Sequence, residues 1–202
     1  FEELDFQPTS MGDLTLRRRV EPTLGVDVFE VKLGEEFLMS SLFTVAEEEL
    51  ANLGLAAVET TDLDVLVGGL GLGYTAVAAL ADRRVRSLVV IDTLPAVIDW
   101  HLRGLLPVSA ALTEDPRTAL VLEDFFGLMR RAPDAASASY DAILLDVDHS
   151  PRHQLDPSHA DLYTVGGMHA VSLHLKPDGV FALWSDDPPD DEFLARASGV
   201  FA

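Results

Sequence analysis

Three aspartates follow strand-like runs of apolar residues along this sequence. Asp92 ends the run SLVVID, Asp124 follows TALVLE, and Asp146 ends YDAILLD. In an open parallel sheet, ligands bind beyond the carboxyl ends of the strands, so these three carboxylates are predicted to line one crevice. Carboxylates in a crevice can accept ribose hydroxyls, hold a cationic amine or take up a proton. For Asp124 a second interpretation stays open, because an aspartate there also suits the cap of a short helix.

A glycine-rich segment, LVGGLGLGYTA, precedes these aspartates. Gly69, Gly71 and Gly73 match the G-x-G-x-G loop of nucleoside-sulfonium enzymes, in which the backbone approaches the ligand closely. Gly71 and Gly73 with Ala76 also match the dinucleotide pattern G-x-G-x-x-A, and a turn that only allows close helix packing is a third interpretation. Asp92 lies 19 residues after Gly73, where a carboxylate can accept both hydroxyls of a ribose.

Strand-like and helix-like segments alternate from residue 62 onward. Five apolar strands separated by helices predict an α/β fold with a doubly wound, mainly parallel Rossmann-like sheet, the last strand being VFALWS after a KPDG turn. Residues 1–42 alternate apolar and polar positions and predict a small antiparallel β layer, so 43–202 forms the nucleoside-binding domain. A helix follows the β layer, and Thr44 with Glu47 matches a capping box at its start.

Composition narrows the possible partners. The 202 residues include 14 Lys+Arg and 34 Asp+Glu, a net charge of −20 that repels phosphate backbones and anionic lipid. We therefore expect no nucleic-acid partner and no membrane partner, and a preference for cationic ligands. The longest uncharged run, Val65 to Ala81, is interrupted by four glycines and is better explained by a strand, a turn and a helix than by a membrane span. The absence of cysteine and of an export signal predicts a cytoplasmic location.

The segment 146–161, DVDHSPRHQLDPSHAD, holds three histidines and four aspartates. His149, His153 and His159 have no fixed helical spacing and share their segment with prolines, so we predict no metal site here. Long loops at the carboxyl ends of strands commonly cover substrates, and a lid over the crevice is the better prediction. His101, on a predicted helix, is expected to have no catalytic part.

The order of these motifs resembles the spermidine synthase family, the aminopropyltransferases built on the class I S-adenosylmethionine-dependent methyltransferase fold. The resemblance rests on VLVGGLGLG, Asp92, LEDFF, YDAILLD and a DLY segment before a helix, and it covers nearly the whole chain. It implies that Asp92 holds the ribose, that Asp124 contacts the adenine amino group, and that Asp146 is the first acid of the family's DSSDP motif. The glycines would form the nucleoside loop.

Several positions that grip the donor tail and the polyamine in that family differ here. The family loop GGGDGG has an acid where this chain has Leu72 and a glycine where it has Tyr74. The second acid of DSSDP corresponds to His149, which follows Asp148 directly. A Tyr-Gln pair of the family corresponds to Met39–Ser40. The nucleoside half of the site therefore matches the family, and the amine half does not.

The resemblance implies a reaction that needs a base and no metal. In aminopropyl transfer a neutral amine attacks the carbon beside a sulfonium, and 5'-methylthioadenosine leaves. An alkyl ammonium has a pKa of about 10, so the enzyme must remove a proton before attack. Asp146 is the candidate base or amine anchor, and Asp148 and His149 are candidate helpers. Tyr163 would orient the amine, or would only pack at the start of a helix.

Four functions remain open from the sequence. The first is aminopropyl transfer from decarboxylated S-adenosylmethionine, as co-substrate, to a small cationic amine. The second is methyl transfer from S-adenosylmethionine itself, since Leu72 removes an acid that would repel the carboxylate of that donor. The third is a non-catalytic nucleoside-binding homologue with a degraded amine site. The fourth, a nicotinamide-dependent dehydrogenase using GLGYTA, lacks a second substrate domain.

The expected fold also bears on assembly. It normally has two more strands after the fifth, so we expect that C-terminal strands are missing from this chain or that a partner chain covers the open sheet edge. A homodimer or a higher homo-oligomer is the corresponding expectation.

Overall fold

The computed structural model describes residues 1–9, 11–133 and 139–201 and contains two sheets. The first sheet is antiparallel, and its four strands lie in chain order: β1 (Glu2–Thr9), β2 (Gly12–Glu21), β3 (Val26–Leu33) and β4 (Glu36–Ser40). Leu14 and Leu16 of β2 are fully buried against the rest of the protein, as is Val31 of β3. The predicted antiparallel layer is therefore confirmed.

The second sheet is parallel throughout and has the order β7-β6-β5-β8-β9. Its strands are β5 (Leu63–Gly68), β6 (Val85–Asp92), β7 (Thr118–Leu122), β8 (Tyr140–Leu145) and β9 (Leu175–Leu183). The central strands β5 and β8 are buried along nearly their whole length, which explains why they are continuous apolar runs in the sequence. The predicted Rossmann-like sheet is confirmed.

One strand boundary was predicted wrongly. The KPDG segment is not a turn before the last strand but lies within β9, where residues 176–179 stand opposite residue 141 alone. This large bulge lets the strand continue past the extra residues, and Asp178 takes a positive φ of 63° within it.

The described residues contain seven α-helices, of which the first six lie between strands and the last follows β9. They are α1 (Val45–Ala56), α2 (Tyr74–Ala81), α3 (Pro95–Leu102), α4 (Ser109–Thr113), α5 (Phe125–Arg130), α6 (Val165–Ser172) and α7 (Asp191–Ser198). Helix α4 was not predicted, because five residues are too few to show a helical period. In the part of the chain that the structure describes, no helix has the length and apolar character needed to cross a membrane.

The predicted capping box at α1 does not form. Thr44 is the N-cap residue, but its hydroxyl donates to Oε1 of Glu48 at 2.7 Å and makes no bond to the helix backbone. A bond to an ionised carboxylate is stronger than one between neutral groups, which explains why the hydroxyl is used in this way. Glu47 is consequently available for contacts elsewhere.

An ionic cluster joins three strands of the parallel sheet, close to where they begin. Lys176 Nζ lies 2.7 Å from Oδ2 of Asp64 and 2.7 Å from Oδ2 of Asp141. Burial raises the pKa of Asp64, but bonds from Lys176, Ser87 and Arg86 outweigh it and lower that pKa to about 2. The ionised form of Asp64 is thus part of the folded state.

Replacing Asp64 with asparagine is expected to lower the free energy of unfolding at pH 7 by about 2 kcal/mol. A carboxyl whose folded pKa lies below its unfolded value contributes stability above the unfolded pKa and loses it as the pH falls through the folded pKa. The difference between wild type and D64N should therefore shrink between pH 5 and about pH 2. Urea denaturation across this range measures it.

Asp62→Asn is the matched control, because Asp62 is exposed and its φ of 58° suits asparagine. An equal loss in D62N, or a D64N deficit that stays constant in acid, would contradict the prediction.

Candidate active site

The carboxyl ends of the parallel strands face the antiparallel sheet across a cavity of about 310 Å³, a volume within the range of small-molecule sites. Asp92, Asp124 and Asp146 all line this cavity, together with Gly69 and Gly71. The structure thus brings the three predicted carboxylates and the glycine loop to one place. Their roles toward a ligand stay predictions.

The glycine loop is pressed against other parts of the protein as well as against the cavity. Gly69 and Gly73 have φ values of 96° and 92°, which other residues rarely adopt. A Cβ on Gly69 would overlap the main-chain oxygen of Asp146, and one on Gly73 would lie 2.8 Å from Cε1 of His101. Gly73 lies outside the larger cavity and lines a smaller neighbouring one. Close packing and ligand access therefore both require glycine here.

Asp92 anchors this loop. Its Oδ2 accepts hydrogen bonds from the backbone N–H groups of Leu70 at 3.0 Å and Gly71 at 3.4 Å, and its Oδ1 accepts one from Leu94 at 2.8 Å. Burial raises the pKa of Asp92, and these backbone bonds oppose the rise. These three bonds occupy both lone-pair sites of Oδ2 and one of Oδ1, so Oδ1 keeps one site for a ribose hydroxyl.

Asp124 is the N-cap residue of α5, but its side chain makes no capping hydrogen bond. The interpretation of Asp124 as only a helix cap therefore finds no support in the structure. The side chain is exposed and lines the larger cavity, beside the buried rings of Phe125 and Phe126. A hydrogen-bond acceptor next to an aromatic wall suits a flat base that carries an amino group.

Asp146 lies at the end of β8 and is held by Thr75, whose hydroxyl donates to Oδ2 at 2.6 Å. Burial raises the pKa of Asp146 to about 6; the bond from Thr75 lowers it and the charge of Glu47 raises it further. A carboxyl that titrates near neutral pH can accept a proton from a substrate more readily than an ordinary aspartate.

A second cavity of about 90 Å³ adjoins the first, and Asp146 lines both. Its other polar and aromatic walls come from Glu47, Tyr74, His149 and Trp184. Burial raises the pKa of Glu47, as it does for Tyr74. Sequence analysis assigned Glu47 only to helix capping. The signal that could have identified it is the position of this carboxylate in the first turn of α1.

Most positions that depart from the family pattern meet in this smaller cavity. Leu72 and Met39 line it, as do Tyr74 and His149, and Nε2 of His149 also lies 3.0 Å from a carboxylate oxygen of Glu36. Ser40 is not among its lining residues and accepts a bond from the backbone N–H of Leu42 instead.

Asp148 and Tyr163 line neither of these two cavities. Asp148 is buried, and its carboxylate accepts bonds from the Tyr163 hydroxyl at 2.7 Å, from Nδ1 of His159 at 2.8 Å and from the backbone N–H of Leu155 at 2.8 Å. Burial beside this charge raises the pKa of Tyr163. Asp148 and Tyr163 therefore lie outside both of these cavities, and their contacts with an amine stay predictions.

The loop that follows Asp146 covers the larger cavity, as expected of a lid. Leu155, Asp156, Ser158 and His159 all line it. No group of three or more histidine or acidic side chains within residues 1–9, 11–133 and 139–201 is placed to hold a metal ion. Among the described residues, neither cavity is lined by lysine or arginine, so the site is acidic throughout.

Three curated proteins have similar sequences, whereas no family model matches the chain. The polyamine aminopropyltransferase of Oceanobacillus iheyensis is 28% identical over 143 residues, 70% of this chain and 26% of that protein. The polyamine aminopropyltransferase of Pyrobaculum neutrophilum is 31% identical over 121 residues, 58% of this chain and 39% of that protein. Polyamine aminopropyltransferase 2 of Pseudomonas aeruginosa is 28% identical over 149 residues, 69% of this chain and 40% of that protein. The matched regions thus span less than half of these relatives.

The solved structures that share this fold include two that match 99% of this chain. One is a spermidine synthase in complex with the transition state analogue AdoDATO, with a TM-score of 0.76 and 21% identity over 65% of that chain. The other is the spermidine synthase of Thermotoga maritima, with a TM-score of 0.74 and 22% identity over 64% of that chain. The fold predicted from the sequence is therefore confirmed by comparison.

Proposed function

From its confirmed resemblance to the spermidine synthase-like family, we propose that this chain transfers an aminopropyl group from a decarboxylated S-adenosylmethionine-type donor to a small cationic amine. The observation that carries the proposal is the position of Asp146. Its carboxyl lines both cavities, so it can contact a donor in one and an acceptor in the other.

The larger cavity suits the nucleoside of the donor. Asp92 offers the free site on Oδ1 to a ribose hydroxyl, and Asp124 offers an acceptor to the adenine amino group. Phe125 and Phe126 supply apolar surface beside Asp124. Gly69 and Gly71 line this cavity, so the backbone of the glycine loop can approach the donor closely.

The smaller cavity suits the amine. An ammonium group would be held there between the carboxylates of Glu47 and Asp146. Asp146 then accepts a proton, and the neutral nitrogen attacks the propyl carbon bonded to the sulfonium. The new C–N bond forms as the C–S bond breaks, and the C–S electron pair stays on sulfur. The leaving group is the uncharged thioether 5'-methylthioadenosine, so no metal is needed to stabilise it.

The charge of the site favours this reaction over methyl transfer. S-adenosylmethionine would bring its carboxylate toward Glu47 and Asp146, and no lysine or arginine of the described residues lines either cavity to compensate. The decarboxylated donor lacks that charge and presents only an ammonium. Leu72 stands where the family loop has an acid that would repel the carboxylate of S-adenosylmethionine, but Glu47 supplies another such acid in the same cavity.

Donor choice tests the proposal directly. The chain is incubated with 1,4-diaminobutane and either decarboxylated S-adenosylmethionine or S-adenosylmethionine, and the products are identified by mass spectrometry. We expect 5'-methylthioadenosine and an aminopropylated amine from the decarboxylated donor only. Formation of S-adenosylhomocysteine would establish methyl transfer instead, and nucleoside binding without any product would establish a non-catalytic homologue.

Glu47→Gln is expected to reduce the preference for the decarboxylated donor by about tenfold, because it removes one of the two negative charges near the donor tail. The measurement is the ratio of the Kd values for the two donors, obtained by calorimetry on wild type and variant. Glu49→Gln is the matched control, since Glu49 lies on the same helix but is exposed and lines neither cavity. An unchanged ratio in E47Q would show that Glu47 does not face the donor tail.

A further inference from the structure

His159 has contacts that the proposed reaction does not use. It lies in the loop over the larger cavity and lines that cavity, with only 13% of its side chain exposed. Its ring stacks on Phe126, with centroids 3.6 Å apart and planes 6° from parallel. Its Nδ1 is bonded to Oδ1 of Asp148 at 2.8 Å. The ring is therefore fixed on one face and at one nitrogen.

Asp148 is itself held rigidly. Its side chain is 1% exposed, and its other oxygen, Oδ2, accepts the hydroxyl of Tyr163 at 2.7 Å. A carboxylate can only accept, so Nδ1 of His159 carries the hydrogen of their bond. Nε2 is then the ring nitrogen left for a ligand. Buried carboxylates commonly orient a functional imidazole in this way.

The stacked pair places His159 near the base end of the cavity. Phe126 is two residues from Asp124, and Asp124, Phe126 and His159 all line the same cavity. An adenine amino group has two hydrogens. The Asp124 carboxylate can accept one of them, and Nε2 of a His159 protonated at Nδ1 can accept the other.

We infer that His159 is a specificity-determining residue that recognises the amino group of the donor's adenine through Nε2, and that Asp148 and Tyr163 are positioning residues that act through it. The inference rests on the proposed function, because it takes the larger cavity as the nucleoside site. It also gives the buried Asp148–Tyr163 pair a role, although neither residue lines either of the two cavities described.

The test compares two nucleosides that differ at one group. 5'-Methylthioadenosine carries the amino group, and 5'-methylthioinosine carries a carbonyl oxygen there, which Asp124 and His159 would both repel. Wild type should bind the first much more tightly. In His159→Phe, which keeps a ring to stack on Phe126, the affinity for 5'-methylthioadenosine should fall about tenfold, and the ratio of the two Kd values should fall with it.

Two further variants separate recognition from folding. Tyr163→Phe and Asp148→Asn should lower the ratio of the two Kd values by smaller factors. If these residues were merely structural, the variants would lose stability while the ratio of Kd values stayed the same. His153→Ala is the matched control, since His153 is exposed on the same loop and does not line the larger cavity. In turnover, H159F should raise the KM for the donor and leave kcat unchanged.

The outcomes distinguish this inference from the proposed function. If wild type binds neither nucleoside, the proposed function itself fails. If wild type prefers 5'-methylthioadenosine and H159F keeps the same ratio of Kd values, the role of His159 is overturned and the proposed function stands. A fall in kcat with an unchanged donor KM would also overturn it, because it would place His159 in the chemical step.

Discussion

Replacing Asp146 with asparagine is expected to lower kcat for aminopropyl transfer by about 10²- to 10⁴-fold, the usual contribution of a positioned general base. Asparagine has nearly the same shape and can still accept the Thr75 hydroxyl, but it cannot take up a proton. Binding of 5'-methylthioadenosine, which lacks the charged donor tail, should change little, since Asp92 and Asp124 are untouched. The measurement is steady-state turnover with the decarboxylated donor.

The pH dependence gives a second readout of the same residue. Because burial raises the pKa of Asp146 to about 6, wild-type activity should rise as the pH increases through about 6, where the base becomes ionised. A carboxyl whose folded pKa lies above its unfolded value destabilises the fold once it is ionised. D146N should therefore be at least as stable as wild type at pH 8, so a loss of activity cannot be attributed to unfolding.

Thr75→Val is the control for this prediction. It removes the bond that lowers the pKa of Asp146, so the acid limb of the pH profile should move to higher pH while activity at pH 8 is largely kept. If D146N retains more than a tenth of the wild-type kcat, or if its profile keeps the limb near pH 6, Asp146 is not the base.

The parts of the site on the parallel sheet were predictable from the sequence. Parallel strands buried on both faces are long apolar runs, so β5 and β8 could be located directly. Once the strands are known, their topology brings Asp92, Asp124 and Asp146 to one edge, whatever the intervening helices do. Apolar runs are visible in short stretches of chain, and the rules for crossover connections leave few topologies for five parallel strands, which is why the two together were sufficient here.

The amine half was not predictable, because it depends on contacts between distant segments. Asp146 and Asp148 are two positions apart, yet the first lines both cavities and the second is buried among donors 7, 11 and 15 residues further along the chain. Glu47 enters the smaller cavity because α1 lies beside α2. The spacing of residues within the loop does not specify the partners of Asp148, and the sequence at the start of α1 does not specify that Glu47 reaches the smaller cavity.

Gly69 links these two parts of the site. It follows β5 directly, and its backbone packs against the main chain of Asp146, which follows β8. Its N–H donates to the carbonyl of Ile91 at 2.9 Å, and the N–H of Asp146 donates to the carbonyl of Gly68 at 2.7 Å. These bonds fix both backbones at close range. A Cβ at Gly69 would therefore overlap the main-chain oxygen of Asp146 and could not be relieved by a side-chain movement.

Gly69→Ala is accordingly expected to lower the free energy of unfolding by about 3 kcal/mol, from overpacking combined with the cost of a positive φ. Nucleoside affinity should fall by about 100-fold or more, because pushing the two backbones apart displaces both Asp146 and the glycine loop.

Gly25→Ala is the matched control. Gly25 has a φ of 67° with no atom within 4 Å of an added Cβ, so it carries only the conformational cost of about 1 kcal/mol. Urea denaturation and calorimetry with 5'-methylthioadenosine measure both variants. Equal losses of stability, or unimpaired nucleoside binding by G69A, would show that the contact between Gly69 and Asp146 does not shape the site.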